Sequence, residues 1–144
     1  MRVLEFGDNI AAGYCGRLFH QYGIEVVRVD LSSDIAISDI ERSLDIFLNT
    51  GKRRVAIDYR TEEGRELLAR LAQKSDLVVT DCLPALLDEL DWHHFADAMR
   101  VSITPFGLDG PYRDWQGSGP ILQAMGGYTY ILGDPNRSCL LYTS

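Results

Sequence analysis

The segment LNTGKRRVAIDYRTEEGRELLARLAQKSDLVVTD, residues 48–81, decides the fold of this 144-residue chain. Its apolar runs Arg54–Asp58 and Leu77–Thr80 have the length and composition of buried strands. Thr61 stands before two glutamates and is predicted to cap a helix, since acidic residues stabilise a helix N-terminus. The apolar face of that helix consists of Leu67, Leu68, Leu71 and Ala72. A strand, a helix and a strand in this order predict two neighbouring parallel strands.

The rest of the chain repeats this alternation. Further strands are predicted at Val3–Phe6, Glu25–Val29 and Val101–Thr104, and further helices at 12–22, from Pro84, at 92–99 and at 121–125. Residues 31–50 show no clear period and are interpreted as a long connection with one helical turn, and residues 105–120 are a loop rich in Gly and Pro. The predicted fold class is α/β, a Rossmann-like open, mostly parallel sheet with helices on both faces. Such sheets bind ligands beyond the carboxyl ends of their strands.

Composition excludes several classes of function. The net charge of -7 argues against a nucleic-acid partner, because phosphate binding needs a clustered basic surface. The three cysteines are far apart and form no CxxC pair, so reduced thiols and no metal site are expected. No segment approaches the roughly 18 consecutive apolar residues of a membrane span. These features predict a soluble, cytoplasmic chain without a membrane partner.

The first loop, FGDNIAAGYCG, places small residues between a predicted strand and a helix, where amide groups can meet the phosphates of a ligand. Gly13 and Gly16 have the GxxG spacing of a dinucleotide fingerprint, and Asp30 ends the second strand where a ribose-binding acid would stand. Ala11, however, takes the place of the first glycine. An NAD-type binding domain of a dehydrogenase and a plain tight turn both remain open.

The basic segment Lys52-Arg53-Arg54 lies just before a predicted strand. Three positive charges could hold a diphosphate or a 3′-phosphate, although the segment does not fit the P-loop pattern. The alternative is a solvated basic turn on an acidic protein.

Three blocks in order resemble family III CoA transferases, the CaiB/BaiF and formyl-CoA transferase type. The first is RVLEFGDNIAAGYCGRLFHQYGIEVVRVD, the second is the segment quoted at the outset, and the third is VSITPFGLDGPYRDWQGSGPILQAMGGYTYILGDP. The resemblance implies an interlocked homodimer with acyl-CoA and carboxylic acids as substrates. It implies coenzyme A as a substrate and no separate cofactor. An aspartate would attack the acyl-CoA thioester and form an aspartyl-anhydride intermediate.

In that family the attacking aspartate lies beyond the QAMGG segment, in a later loop. The chain is therefore predicted to be an amino-terminal fragment, inactive alone, of the large domain, covering residues 1–137. Residues 138–144 depart from the family pattern and are interpreted as a non-native tail that includes Cys139.

The resemblance also implies CoA contacts in the first loop, in the basic segment and after the fourth and fifth strands. They fall on Asn9, Ile10, Ala11, Leu48, Lys52, Asp81, Cys82, Thr104 and Phe106. Asp81-Cys82 replaces the usual Asn-Phe pair, and no basic residue occurs at 83–90. A catalytically empty binding module therefore stays a further alternative.

Overall fold

A computed structural model describes residues 1–7, 9–31, 39–95 and 97–131. The strands are β1 (Arg2–Phe6), β2 (Glu25–Asp30), β3 (Arg53–Ala56), β4 (Leu77–Thr80) and β5 (Met99–Ser102). The helices are α1 (Ile10–Gln21), α2 (Asp39–Asn49), α3 (Glu62–Gln73), α4 (Pro84–Glu89), α5 (Gly119–Met125) and α6 (Tyr128–Ile131), with a 3₁₀ turn at Trp92–His94. The proposed tail at 138–144 lies outside the described residues.

All five strands form one sheet in the order β3-β2-β1-β4-β5, and every neighbouring pair is parallel. The predicted open parallel sheet is confirmed. The order reverses beside β1, because β2 and β4 lie on opposite sides of it. The α3 start is confirmed as well, since the Gly64 amide donates to Thr61 Oγ1 over 3.0 Å.

Helices cover both faces of the sheet, as predicted. Side chains alternate along each strand, so each face of the sheet has its own apolar cluster. On one face, Val3 of β1 belongs to an apolar cluster that includes Ala12 of α1 and partly buried Phe19. On the other face, Leu4 and Phe6 lie in the larger cluster with α3 and α4. That cluster holds an aromatic group in which the Phe6 ring centre lies 6.2 Å from Trp92 and 5.9 Å from Phe95. Glu5 falls on the α1 face and is fully buried.

The interpretation of residues 31–50 as a connection with one helical turn was wrong, since α2 covers Asp39–Asn49. Leu44, Phe47 and Leu48 recur at the three- and four-residue spacing of a helix, but the serines and aspartates before and between them mask this period. Leu48, in the last turn of α2, is buried beneath α1 with only 7% of its surface exposed.

The predicted helix at 92–99 was also wrong. Asp91 has a left-handed backbone (φ 50°), so it forms a turn and not a helix start. The 3₁₀ turn covers only Trp92–His94, and both Trp92 and Phe95 are buried in the core. The Met99 amide then donates to the Asp76 carbonyl (3.2 Å) and draws the chain into β5 beside β4.

Candidate functional site

The carboxyl ends of β1 and β4 are adjacent in the sheet, at the point where the strand order reverses. The loop after β1 and the loop after β4 therefore border one crevice, the place where open α/β sheets bind ligands. This crevice brings together the predicted site residues Asn9 and Asp81, although they are separated by 72 positions in the chain.

Asp81 binds the beginning of α1. Its carboxylate accepts from the amide of Asn9 (3.3 Å) and from that of Ala12 (2.8 Å), and its carbonyl accepts from the Asn9 side chain (3.2 Å). Only 3% of Asp81 is exposed. Asn9 itself makes no side-chain cap bond, and the first turn of α1 has no acidic residue. Asp81 is therefore a cap supplied from a different strand, and its charge suits the helix dipole.

Gly7 allows this close approach. Its φ of 142° lies in the region that favours glycine, and a Cβ atom there would lie 1.9 Å from Asp81 Oδ1. Glycine is required at this position for conformation and for space.

The same geometry weighs against an NAD-type site. A dinucleotide fold binds its diphosphate at the amide groups of this helix N-terminus, and here the Asp81 carboxylate already accepts from two of them, those of Asn9 and Ala12. Asp30, the expected ribose ligand, accepts from Arg28 (3.3 Å) and Arg54 (3.1 Å). Both features that suggested a dinucleotide thus have partners within the chain.

Lys52 occupies a buried position beneath α1 and not the exposed turn that its basic neighbours suggest. Its ammonium donates to Glu5 Oε1 (2.7 Å) and Oε2 (2.9 Å), to the Gly13 carbonyl (2.8 Å) and to Asn49 Oδ1 (3.1 Å). The side chains of Lys52 and Glu5 are both 0% exposed. Four acceptors surround three N–H groups, so the ammonium has no N–H left for a phosphate.

The two glycines of the GxxG spacing make room for this ion pair. A Cβ on Gly16 would lie 1.5 Å from Glu5 Oε2, and one on Gly13 would lie 3.3 Å from Leu48. The small residues of α1 therefore accommodate a carboxylate, an ammonium and a leucine of the chain itself.

Burial shifts both members of the pair towards their neutral forms. It raises the pKa of Glu5, although the hydrogen bond and charge of Lys52 act in the opposite direction. It also lowers the pKa of Lys52, against the influence of Glu5. Desolvation thus offsets much of the attraction between the charges, as is usual for buried ion pairs.

The remaining predicted site residues divide by exposure. Asn9, Ile10 and Ala11 are exposed at the start of α1. Leu48 and Cys82 are buried, and Cys82 lies in the large apolar cluster.

Thr104 and Phe106 are half-buried after β5. Phe106 packs with Tyr112 and Trp115, at 6.3 and 6.2 Å between ring centres. Arg113 anchors this loop by donating to the Pro84 carbonyl over 3.4 Å. The aromatic rings therefore stand near the start of α4, which follows the β4 loop.

Sequence reasoning missed Glu5 and Arg28. Glu5 is a lone acid inside the apolar run VLEF, and that was the available signal, because a buried charge needs a partner. Arg28 is its neighbour across the sheet in the parallel register. The Arg28 guanidinium lies 3.6 Å from Glu5 Oε1 and donates to the Gly7 carbonyl.

The described residues contain no group of three or more His, Cys, Asp or Glu side chains that could hold a metal ion. Within the same part of the chain, every helix is too short or too polar to cross a bilayer.

The parallel sheet, its strand order and the crevice at its carboxyl edge define a Rossmann-like α/β domain. A sequence profile of CoA-transferase family III matches residues 1–143, and the chain belongs to that family. The succinyl-CoA–D-citramalate CoA-transferase of Chloroflexus aurantiacus is 33% identical, over 95% of this chain and 38% of its own length. The formyl-CoA:oxalate CoA-transferase of Streptomyces avermitilis is 29% identical, over 88% of this chain and 34% of its own.

The fold agrees with that assignment. A crystal structure of a CaiB/BaiF family protein from Brucella suis matches with a TM-score of 0.76 and 28% identity, covering 95% of this chain and 41% of that protein. The chain thus spans less than half the length of these relatives.

Proposed function

We propose that this chain is the CoA-binding part of an enzyme that transfers coenzyme A between carboxylic acids. The observation that carries the proposal is the family match over residues 1–143, which includes every loop of the crevice. Relatives named for succinyl-CoA with D-citramalate and for formyl-CoA with oxalate support this reaction class. Neither pair of acids is assigned to this chain.

The predicted contacts take two different roles in this proposal. Exposed Asn9, Ile10 and Ala11, with half-buried Thr104 and Phe106, offer a surface along the carboxyl edge for the CoA chain. The other four expected contacts, Leu48, Lys52, Asp81 and Cys82, are buried and shape that surface from beneath.

The attacking aspartate is proposed to lie outside residues 1–144, after the QAMGG segment, as the family resemblance implies. The chain alone should then bind CoA without transferring it, and the complete enzyme should act as a homodimer. An assay of thioester exchange would contradict this proposal if the chain alone turned over acyl-CoA.

Calorimetric titration with CoA tests the binding site. Ala11 is exposed, so Ala11→Trp should leave the fold intact and place a bulky ring in the path of the ligand. We expect this variant to weaken CoA binding by about tenfold or more, which corresponds to loss of a few favourable contacts. Gln73→Trp is the matched control, because it adds the same ring to an exposed position at the end of α3.

NAD serves as the competing ligand in the same titration. Binding of NAD without binding of CoA would refute the proposal in favour of a dinucleotide domain. Equal CoA affinities for Ala11→Trp and Gln73→Trp would place the ligand away from the first loop.

A further inference from the structure

The charged side chains of Glu5 and Lys52 are buried beneath the first loop. Their partners belong to the chain itself, and neither side chain reaches the surface. The Lys52 side chain is 0% exposed, and its ammonium has the Gly13 carbonyl and both oxygens of Glu5 within 2.9 Å. The Gly13 carbonyl belongs to the first turn of α1, which also contains exposed Ile10 and Ala11. The ammonium therefore holds the backbone of the helix turn whose outer side forms the proposed CoA surface.

Arg28 connects the same carboxylate to the start of the loop. It donates to the Gly7 carbonyl, and its guanidinium lies 3.6 Å from Glu5. Glu5 is thus linked through Arg28 to Gly7, the first residue after β1, and through Lys52 to the first turn of α1. Asp81 holds the amide groups of the same segment from the β4 side.

We propose that Glu5, Lys52 and Arg28 form a positioning unit that holds Gly7 and residues 9–13 in the shape that receives CoA, so that Lys52 governs CoA affinity without touching the ligand. This inference rests on the proposed function for the identity of the ligand. It assigns the lysine of the basic segment to the backbone of the loop and not to a phosphate of CoA.

A direct contact would require a large rearrangement. To reach a phosphate at the surface, the ammonium would leave Glu5 buried beside Gly16 without its closest partner. An unpaired buried carboxylate is strongly unfavourable, whereas replacement of both charges by neutral groups is often tolerated. The two roles therefore predict different results for single and double substitutions.

The test compares Lys52→Met with the double variant Glu5→Gln/Lys52→Met in the full 144-residue chain. Arg53→Met is the matched control, because it removes a charge from the same basic segment at a side chain that is 76% exposed. Circular dichroism establishes that each variant is folded. Hydrogen exchange of the amides in residues 9–13 reports the loop, and titrations with CoA and dephospho-CoA report the ligand.

For a positioning unit, Lys52→Met should speed exchange of the loop amides and weaken both ligands equally, by about tenfold. The double variant should recover most of the protection and most of the affinity, and Arg53→Met should resemble the wild type. If Lys52→Met is too unstable to fold, a folded double variant with near wild-type CoA affinity still supports the proposal.

Three results would overturn it. One is unchanged exchange of residues 9–13 in Lys52→Met. Another is a double variant that binds CoA as weakly as the single variant. The third is a loss confined to CoA with dephospho-CoA unaffected, because only a contact to the 3′-phosphate distinguishes these ligands. A wild-type chain that binds no CoA would refute the proposed function instead, and the exchange data would still decide whether the pair holds the loop.

Discussion

Substitution of Gly16 by alanine should destabilise the chain, although alanine is the better helix former. The new Cβ would lie 1.5 Å from Glu5 Oε2, 2.7 Å from its Cδ and 3.2 Å from Lys52 Nζ. Since carbon atoms pack at about 3.5–4.0 Å, the carboxylate would have to retreat by roughly 2 Å. That movement would break its hydrogen bonds of 2.7 and 2.9 Å to Lys52.

The net effect follows from two opposing contributions. Disruption of a buried ion pair costs about 3–5 kcal/mol, and replacing glycine within a helix returns about 1 kcal/mol. We therefore expect Gly16→Ala to lower the free energy of unfolding by about 2–4 kcal/mol. Urea titration followed by far-UV circular dichroism measures this difference.

Gly119→Ala is the control, because no atom outside its chain neighbours and the backbone of its own helix lies within 4 Å of the added Cβ at the start of α5. Its free energy of unfolding should change by less than about 1 kcal/mol. A second comparison places Gly16→Ala in a Glu5→Ala background, where the clash with the carboxylate is gone and the alanine should cost much less than in the wild type. A Gly16→Ala chain as stable as the wild type would refute the close contact between α1 and Glu5.

Loss of the carboxylate in Asp81→Ala should lower the free energy of unfolding by about 1–3 kcal/mol. Asp81→Asn keeps one acceptor oxygen and should therefore lose less stability. Equal losses of the two variants in urea titrations would contradict the role of Asp81 as a cap. Trp92→Ala should cost about 3–5 kcal/mol because the ring is buried, and Trp115→Ala less than about 1 kcal/mol because its ring is half exposed; the opposite order would contradict the assigned core. Partial burial raises the pKa of Asp45, but hydrogen bonds from side chains of β3 and α2 hold it below its ordinary value of 3.8. Ionised Asp45 therefore stabilises the fold above pH 3.8, and this stability is lost as the pH falls through the folded pKa. Asp45→Asn should reduce the loss of stability on acidification. An unchanged acid dependence would refute the pairing of Asp45 with these side chains.

The sequence predicted the elements whose signals are local. Each of these signals is read from residues close together in the chain. The structure confirmed three of them: the Thr61 cap, the apolar stripe of α3 and the strand Leu77–Thr80. α2 was missed because its apolar period is short and lies among serines and aspartates. The helix predicted after Asp91 failed for another reason, since Asp91 has a left-handed backbone and Trp92, the next residue, is buried in the core.

The site was less predictable because its contacts join distant parts of the chain. Glu5 and Lys52 are 47 positions apart, and Ala12 and Asp81 are 69 apart. No spacing rule connects such residues before the order of the strands is known. A lysine followed by two arginines therefore suggested an exposed phosphate site, whereas the lysine was turned inward by an acid on another strand.

The two anion-binding features of the sequence are both satisfied by carboxylates of the chain itself. The amides of Asn9 and Ala12 donate to Asp81, and the ammonium of Lys52 donates to Glu5. If CoA binds in this crevice as proposed, its phosphates cannot use the amides of Asn9 and Ala12 or the Lys52 ammonium without displacing a buried acid. The proposal then assigns the ligand contacts in this part of the chain mainly to exposed Ile10 and Ala11 and to the aromatic rings after β5. In this proposal the buried charges fix the shape of the crevice, and the exposed residues determine what the crevice binds.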